Sequence, residues 1–252
     1  MSTLSRRAKS IIFILIALGL LIGLFLPAFI HGATDNQAIC QRLSALADRQ
    51  NADFTNREAN LAALRQKRDT DLATRIDQRD AKIESTRAQF DANLVDHLAK
   101  LTARATTSDQ HAAVDAFAAA VHAAVSARRT AVDAARQTFR DGVKTAIADR
   151  RATIDQELTD YQTAVEAAVA KAQSDCSAGV DATTVRSDLR TAISAARSEF
   201  QQDKAGTEKI GPEVTSLATE RRAAVDKART DFKAAVEADG AKLKDILGVR
   251  AG

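Results

Sequence analysis

The residues from Val121 to Cys176 read VHAAVSARRT AVDAARQTFR DGVKTAIADR RATIDQELTD YQTAVEAAVA KAQSDC, and their apolar positions repeat every eleven residues. The repeating positions are Val121, Val132, Val143, Ile154, Val165 and Cys176. Steps of seven reach mostly polar residues instead: Arg128, Ala135, Gly142, Asp149, Gln156 and Thr163. Eleven residues make three turns of about 3.67 residues each, close to an undistorted helix. The repeat therefore predicts packed helices that run nearly straight or slightly right-handed.

The same repeat occurs on both sides of this stretch. Before it, the repeating positions are Ile39, Gln50, Leu61, Leu72, Ile83 and Leu94, all of them apolar except Gln50. After it, the repeat returns at Val214, Val225, Val236 and Leu247. Residues 33–178 contain no proline and only one glycine, Gly142. A span with so few helix breakers favours long uninterrupted helices.

Two turns are predicted in the chain after the apolar N-terminal segment. The phase of the repeat slips near Thr106–Asp109, where Thr107 and Gln110 fit a capping box. Gly179 and Asp181 match a helix-ending glycine followed by an N-cap. The predicted helices are about 35–105, 109–177 and 181–247.

A weaker interruption is predicted at 206–212, within the third helix. Gly206 and Gly211-Pro212 lie there, and proline after glycine favours the restart of a helix. Two interpretations remain open, a kink in one helix or a reversal that creates a fourth, shorter helix. Equal segments joined by short loops favour up-down-up antiparallel packing. The predicted fold class is all-α, with an N-terminal transmembrane helix followed by a long coiled-coil-like three-helix bundle of eleven-residue periodicity. A single uninterrupted helix in a parallel dimer is the alternative.

The two cysteines test this topology. Antiparallel helices that reverse near residue 107 bring together residues whose numbers sum to about 215, and Cys40 and Cys176 meet that condition. In an oxidising compartment this pairing predicts an intramolecular disulfide. Free thiols, or a disulfide between two copies through Cys40, are the alternatives.

The N-terminus predicts a membrane anchor. Residues 11–30 (IIFILIALGLLIGLFLPAFI) are uncharged and long enough to span a bilayer. Arg6, Arg7 and Lys9 precede them, so the positive-inside rule places the 1–10 stub in the cytoplasm. A linker at 31–34 then leads to an extracytoplasmic rod at 35–252, at a cell surface or in a periplasm.

Two further expectations concern the anchor itself. Gly19 and Gly23 lie four residues apart, a spacing that lets two membrane helices approach closely. A cleaved signal peptide is the rival interpretation, but the apolar run is longer than usual and Ala33 offers a poor cleavage site because His31 would stand at −3. An uncleaved anchor is favoured.

A local motif recurs, an aliphatic residue followed by arginine four positions later and phenylalanine seven positions later. It occurs as Ile83-Arg87-Phe90, Val132-Arg136-Phe139, Ile193-Arg197-Phe200 and Val225-Arg229-Phe232. The aliphatic and aromatic residues share one helix face, and arginine would lie at its edge with its head in water. Packing is the favoured interpretation, and an arginine-lined ligand groove is the alternative.

The charge pattern argues against nucleic-acid binding. The formal net charge is +3, and three bases precede the first acid, Asp35, so the rest of the chain is neutral. Nucleic-acid binding requires a net basic face.

No motif for catalysis or cofactor binding is present. The four histidines (His31, His97, His111 and His122) lack the spacing of a metal site. Glycine-rich phosphate loops and nucleophile elbows are absent. We expect no enzyme activity, cofactor or small-molecule substrate.

The leading functional hypothesis is a membrane-anchored stalk that displays Thr106–Asp109 and Gly248–Gly252 at its distal tip. Its expected partners are the lipid bilayer through residues 11–30 and another protein or a second copy. The alternatives are a sensor or assembly subunit of a membrane complex, and a lipid-binding amphipathic helical protein.

Overall fold

The described residues form α-helices joined by short connections. A computed structural model describes residues 36–207 and 209–248. The helices are α1 (Asn36–Thr102), α2 (Ser108–Ser177), α3 (Ala182–Gly206) and α4 (Gly211–Leu247). Within these residues there is no β-strand, so the predicted all-α fold is confirmed.

The connection between α1 and α2 begins earlier in the chain than the sequence predicts, at residue 103. α1 ends at Thr102 rather than near residue 105 because the backbone tightens and Ala105, 8% exposed, turns into the core. Thr107 caps α2, since its hydroxyl accepts a hydrogen bond from the Gln110 amide at 3.2 Å. The Gln110 side chain accepts from the Thr106 amide at 2.8 Å. This is a capping box whose return bond reaches one residue further back than usual.

The connection between α2 and α3 follows the predicted turn chemistry. Gly179 has φ +75°, a conformation that favours glycine. The Val180 amide donates to the Asp175 carbonyl at 3.0 Å, which closes the end of α2. The Asp181 carboxylate accepts from the amides of Thr183 and Thr184 in the first turn of α3, at 2.9 and 3.2 Å.

The chain divides into two compact units, and the first comprises residues up to 58 together with 147–212. Here α1 and α3 both run antiparallel to α2. Phe54 contacts Tyr161, and Tyr161 contacts Phe200, with ring centroids 5.7 and 5.2 Å apart. Thr207 donates a hydrogen bond to Glu157. The buried core consists of Leu43, Ala168, Val169, Ala172, Val185, Leu189 and Ile193.

The second unit comprises residues 59–146 and 213–252. Its buried cluster is Ala105, Val114 and Leu243, where the end of α4 meets the connection between α1 and α2. Phe117 and Leu247 pack around this cluster. Within this unit the ring contacts described below make α4 antiparallel to α2.

Gly142 permits a close contact between α2 and α4. A Cβ at this position would lie 2.7 Å from one Leu217 methyl carbon and 2.8 Å from the other. Gly240 differs, because its nearest neighbour would be a Phe117 ring carbon at 3.9 Å. Of these two glycines, only Gly142 lies where an added carbon would force a neighbour, Leu217, to move.

Candidate functional site

The two cysteines form the disulfide that the sequence predicts. Cys40 on α1 and Cys176 on α2 are 136 residues apart, and their Cα atoms are 5.7 Å apart. Cys176 packs against the core of the first unit, whose most buried member is Val185 at 1% exposed. The bond joins two helices that also share an apolar core, so it reinforces their packing.

A groove lies beside this core in the first unit. Its volume is about 180 Å³, and Phe54 and Val165 contribute to its apolar lining. Gln50, Asn51 and Glu166 provide its polar groups. Typical small-molecule sites have a volume of about 300–1,000 Å³, so this groove is small for one.

Ion pairs link α1 to α2 in the second unit. Asp80 receives hydrogen bonds from Arg136 and from Arg140, the latter at 2.5 Å. Asp91 binds both terminal nitrogens of Arg129, at 2.7 and 3.1 Å. The hydrogen bonds from Arg140 and Arg129 hold the pKa values of Asp80 and Asp91 below their usual range.

A further bridge between these helices joins Arg87 to Asp133 at 2.7 Å. Its hydrogen bond lowers the pKa of Asp133, and Arg136 also contacts this carboxylate. The sequence places Arg87 and Arg136 at helix edges with their heads in water. The structure shows their side chains only 21% and 20% exposed, because each guanidinium binds an aspartate on the facing helix.

Arg128 has a different environment. Its guanidinium carbon lies 4.5 Å from the ring centre of Phe232 and 5.6 Å from that of Phe90. Burial lowers its pKa, and so do the neighbouring charges of Arg129 and Arg229. Among the described residues it has no carboxylate partner. The Arg128 guanidinium is thus a cation that stacks on aromatic rings and has other arginines near it.

Arg221 on α4 repeats this arrangement. Its guanidinium carbon lies 4.3 Å from the ring centre of Phe139 on α2. Burial lowers its pKa, and the charges of Arg79 and Arg222 lower it further. No described carboxylate forms an ion pair with it.

The two stacking contacts are reciprocal. Arg128 and Phe139 lie eleven residues apart on α2, and Arg221 and Phe232 lie eleven apart on α4. Because the helices are antiparallel, each arginine meets the ring of the other helix. We call these four residues the arginine face. At 1.5 Å per residue, its two guanidinium sites are about 16 Å apart along the helices.

The sequence reasoning missed the arginine face. It singled out Arg136 and Arg229, which each precede a phenylalanine by three residues. Arg128 and Arg221 each precede the same phenylalanines by eleven residues. That longer spacing was the available signal. It equals the repeat itself, so it marks residues that share one face.

The described residues contain no cluster of three or more His, Cys, Asp or Glu side chains suited to a metal ion. His122 lies close enough to Asp91 for its charge to help lower the pKa of that carboxyl. It thus belongs to the surroundings of the Arg129–Asp91 pair.

Several predicted features lie outside the described residues. These are the apolar segment 11–30, the spacing of Gly19 and Gly23, and the cations Arg6, Arg7 and Lys9. Within 36–207 and 209–248, none of the helices combines the length and apolar character that crossing a bilayer requires. The anchor, its glycine pair and its orientation stay predictions.

Comparison with known proteins found no matching family model, no matching curated protein and no matching solved structure.

Proposed function

We propose that this protein is a membrane-anchored extracytoplasmic stalk that acts by binding other molecules and not by catalysis. In this proposal residues 11–30 form an uncleaved transmembrane helix with residues 1–10 in the cytoplasm. The chain after residue 30 then forms an up-down-up rod with eleven-residue periodicity on the other side of the membrane. Its distal tip comprises Thr106–Asp109 and Gly248–Gly252.

The Cys40–Cys176 disulfide carries the proposal. Disulfides persist in oxidising compartments and are rare where thiols are kept reduced. The sequence offers an export route to such a compartment, because an uncharged apolar run follows three bases at the N-terminus. Disulfide and apolar run thus support the same topology from separate parts of the chain.

Helix length supports a display role. α1 has 67 residues and α2 has 70. At 1.5 Å per residue each is about 100 Å long, several times the mean helix length in globular proteins. In this proposal, helices of this length form the body of the stalk.

Cysteine labelling in intact cells tests the topology. The full-length chain carries either Ser2→Cys in the predicted cytoplasmic stub or Arg104→Cys in the connection between α1 and α2, where Arg104 is exposed. The native cysteines are in a disulfide and do not react without a reductant. We expect a membrane-impermeant maleimide to label Arg104→Cys in intact cells and Ser2→Cys only after lysis.

Alkaline carbonate extraction provides the matched test of anchoring. An integral membrane protein stays in the pellet, whereas a cleaved and secreted chain is found in the soluble fraction. Labelling of both variants only after lysis would contradict export, and complete extraction would contradict the anchor.

A further inference from the structure

The arginine face has positive charge that the described chain does not neutralise. Arg129, Arg136 and Arg140 each bind a carboxylate. Arg128 and Arg221 instead stack on phenylalanine rings, and the neighbouring charges that lower their pKa values are those of other arginines. A stacked guanidinium keeps its edge N–H groups available for a planar anion, and its position is already fixed.

Part of the arginine face is open to solvent. A groove of about 500 Å³ is lined by Arg128, Phe232, Arg229, Thr230, Lys233 and Asp226. The Arg229 side chain is 73% exposed, and its nearest carboxylate, Asp226, is 3.9 Å away. An incoming anion can therefore reach Arg128 and gain a second cation from Arg229.

The protein itself shows which partner fits such a face. On α1, Asp80 and Asp91 lie eleven residues apart and bind Arg140 and Arg129, which are eleven apart on α2. Eleven residues make three helical turns, so the two carboxylates share one face and are about 16 Å apart. The two guanidinium sites of the arginine face have the same spacing along α2 and α4.

A helix fits better than a continuous polyanion. Asp226 lies on α4 between Arg221 and Phe232, and Asp231 lies next to Phe232. A polymer with closely spaced charges would meet these carboxylates, and like charges close together repel. A helix with widely spaced carboxylates can contact both arginines and avoid them.

We propose that the arginine face binds an acidic helix of a partner protein whose carboxylates recur every eleven residues. Each carboxylate accepts hydrogen bonds from one stacked guanidinium, Arg128 or Arg221. This goes beyond the stalk proposal and does not depend on the membrane anchor. A failure of the labelling experiment would leave it standing.

Two synthetic peptides test the proposal against the full-length protein in a mild detergent. Both are fluorescent, hydrocarbon-stapled, alanine-rich helices of about 22 residues, long enough to be helical, with two glutamates and the same net charge. In one the glutamates are eleven residues apart and share a face. In the other they are nine residues apart, two and a half turns, and lie on opposite faces. We expect the first to bind at least about tenfold more tightly by fluorescence anisotropy, because only it reaches both charge-assisted contacts.

Variants of single charges then locate the site. Arg128→Gln and Arg221→Gln should each weaken binding of the eleven-spaced peptide by about tenfold, the loss of one charge-assisted contact. Lys100→Gln is the control, because it removes the same charge from an exposed lysine on α1 that pairs with the exposed Asp96. It should change the affinity less than about twofold, since exposed pairs contribute little.

Several results would overturn the proposal. One is equal binding of the two peptides. Another is the absence of binding by either peptide at about 1 mM, since a Kd of that size corresponds to only about −4 kcal/mol. The third is wild-type affinity in both arginine variants. Tighter binding of linear polyphosphate than of the eleven-spaced peptide would identify a polyanion as the ligand instead. The comparison of peptides on the unmodified protein decides the matter even if an arginine variant fails to fold.

Discussion

Removal of the Cys40–Cys176 disulfide should strongly destabilise the protein. The bond closes a loop with a sequence separation of 136 residues. In the chain-entropy model, the loss of unfolded-state entropy is a constant plus 1.5R times the logarithm of the loop length, which gives about 5 kcal/mol at 25 °C. The double variant Cys40→Ala/Cys176→Ala should therefore lose up to about 5 kcal/mol in its free energy of unfolding.

Urea unfolding followed by circular dichroism at the helical band measures this loss. For an m-value of about 2 kcal/mol/M, the midpoint should fall by up to roughly 2.5 M. If two transitions occur, the shift should affect the one that exposes the core around Leu43 and Val185.

Reduction supplies the control for this experiment. A reductant should move the wild-type midpoint toward that of the double variant and leave the variant unchanged. A difference below about 1 kcal/mol would refute the reasoning, because it would mean that the crosslink barely restricts the unfolded chain. Peptide mapping of the oxidised protein without reduction must also recover the Cys40–Cys176 linkage.

Five further substitutions probe local features by the same urea assay. Gly142→Ala and Gly240→Ala both gain about 1 kcal/mol in helix propensity, but only at 142 would the new carbon lie 2.7 Å from a leucine methyl. Overpacking there should cost about 1–3 kcal/mol and make Gly142→Ala less stable than Gly240→Ala. The opposite order of stability would contradict the contact. Leu189→Ala, at a site only 5% exposed, should cost about 2–5 kcal/mol, and a loss under 1 kcal/mol would contradict its place in the core. Asp181→Ala should cost about 1 kcal/mol through loss of the cap of α3, with no loss expected if the carboxylate does not bind the amides. The pKa of Asp80 is lowered in the folded state, so its ion pairs stabilise the protein above the unfolded pKa of about 3.9, and this stabilisation is lost as pH falls through the folded pKa. The wild type should therefore lose more free energy of unfolding than Asp80→Asn between about pH 5 and 3. The same dependence of this free energy on pH in both proteins would be evidence against the ion pair.

Much of the fold could be predicted from the sequence because its signals are local. Gly179 and Asp181 end one helix and start the next through their own backbone and side-chain preferences. The eleven-residue repeat identifies the packing face of α2, where Val121 and Val165 are 6% and 2% exposed. The disulfide follows from antiparallel pairing, which needs only the position of the turn.

The arginine face could not be predicted in the same way. Whether Arg128 meets an aspartate or a ring depends on which helix faces it, and a periodic pattern identifies a face without identifying its neighbour. The same limit explains Leu72, which lies on the repeat but is 43% exposed. Periodicity shows which residues could be buried, and burial requires another element to cover them.

The eleven-residue repeat also creates a problem that the disulfide solves. If one helix slid along its neighbour by one repeat, about 16 Å, apolar residues would again face apolar residues, so shifted registers are close competitors of the native one. The Cys40–Cys176 bond joins α1 to α2 at one point of the repeat, and their Cα atoms are 5.7 Å apart. A one-repeat slip would separate them far beyond the span of a disulfide, about 7 Å at most. The crosslink thus selects one alignment among several that hydrophobic packing alone distinguishes poorly.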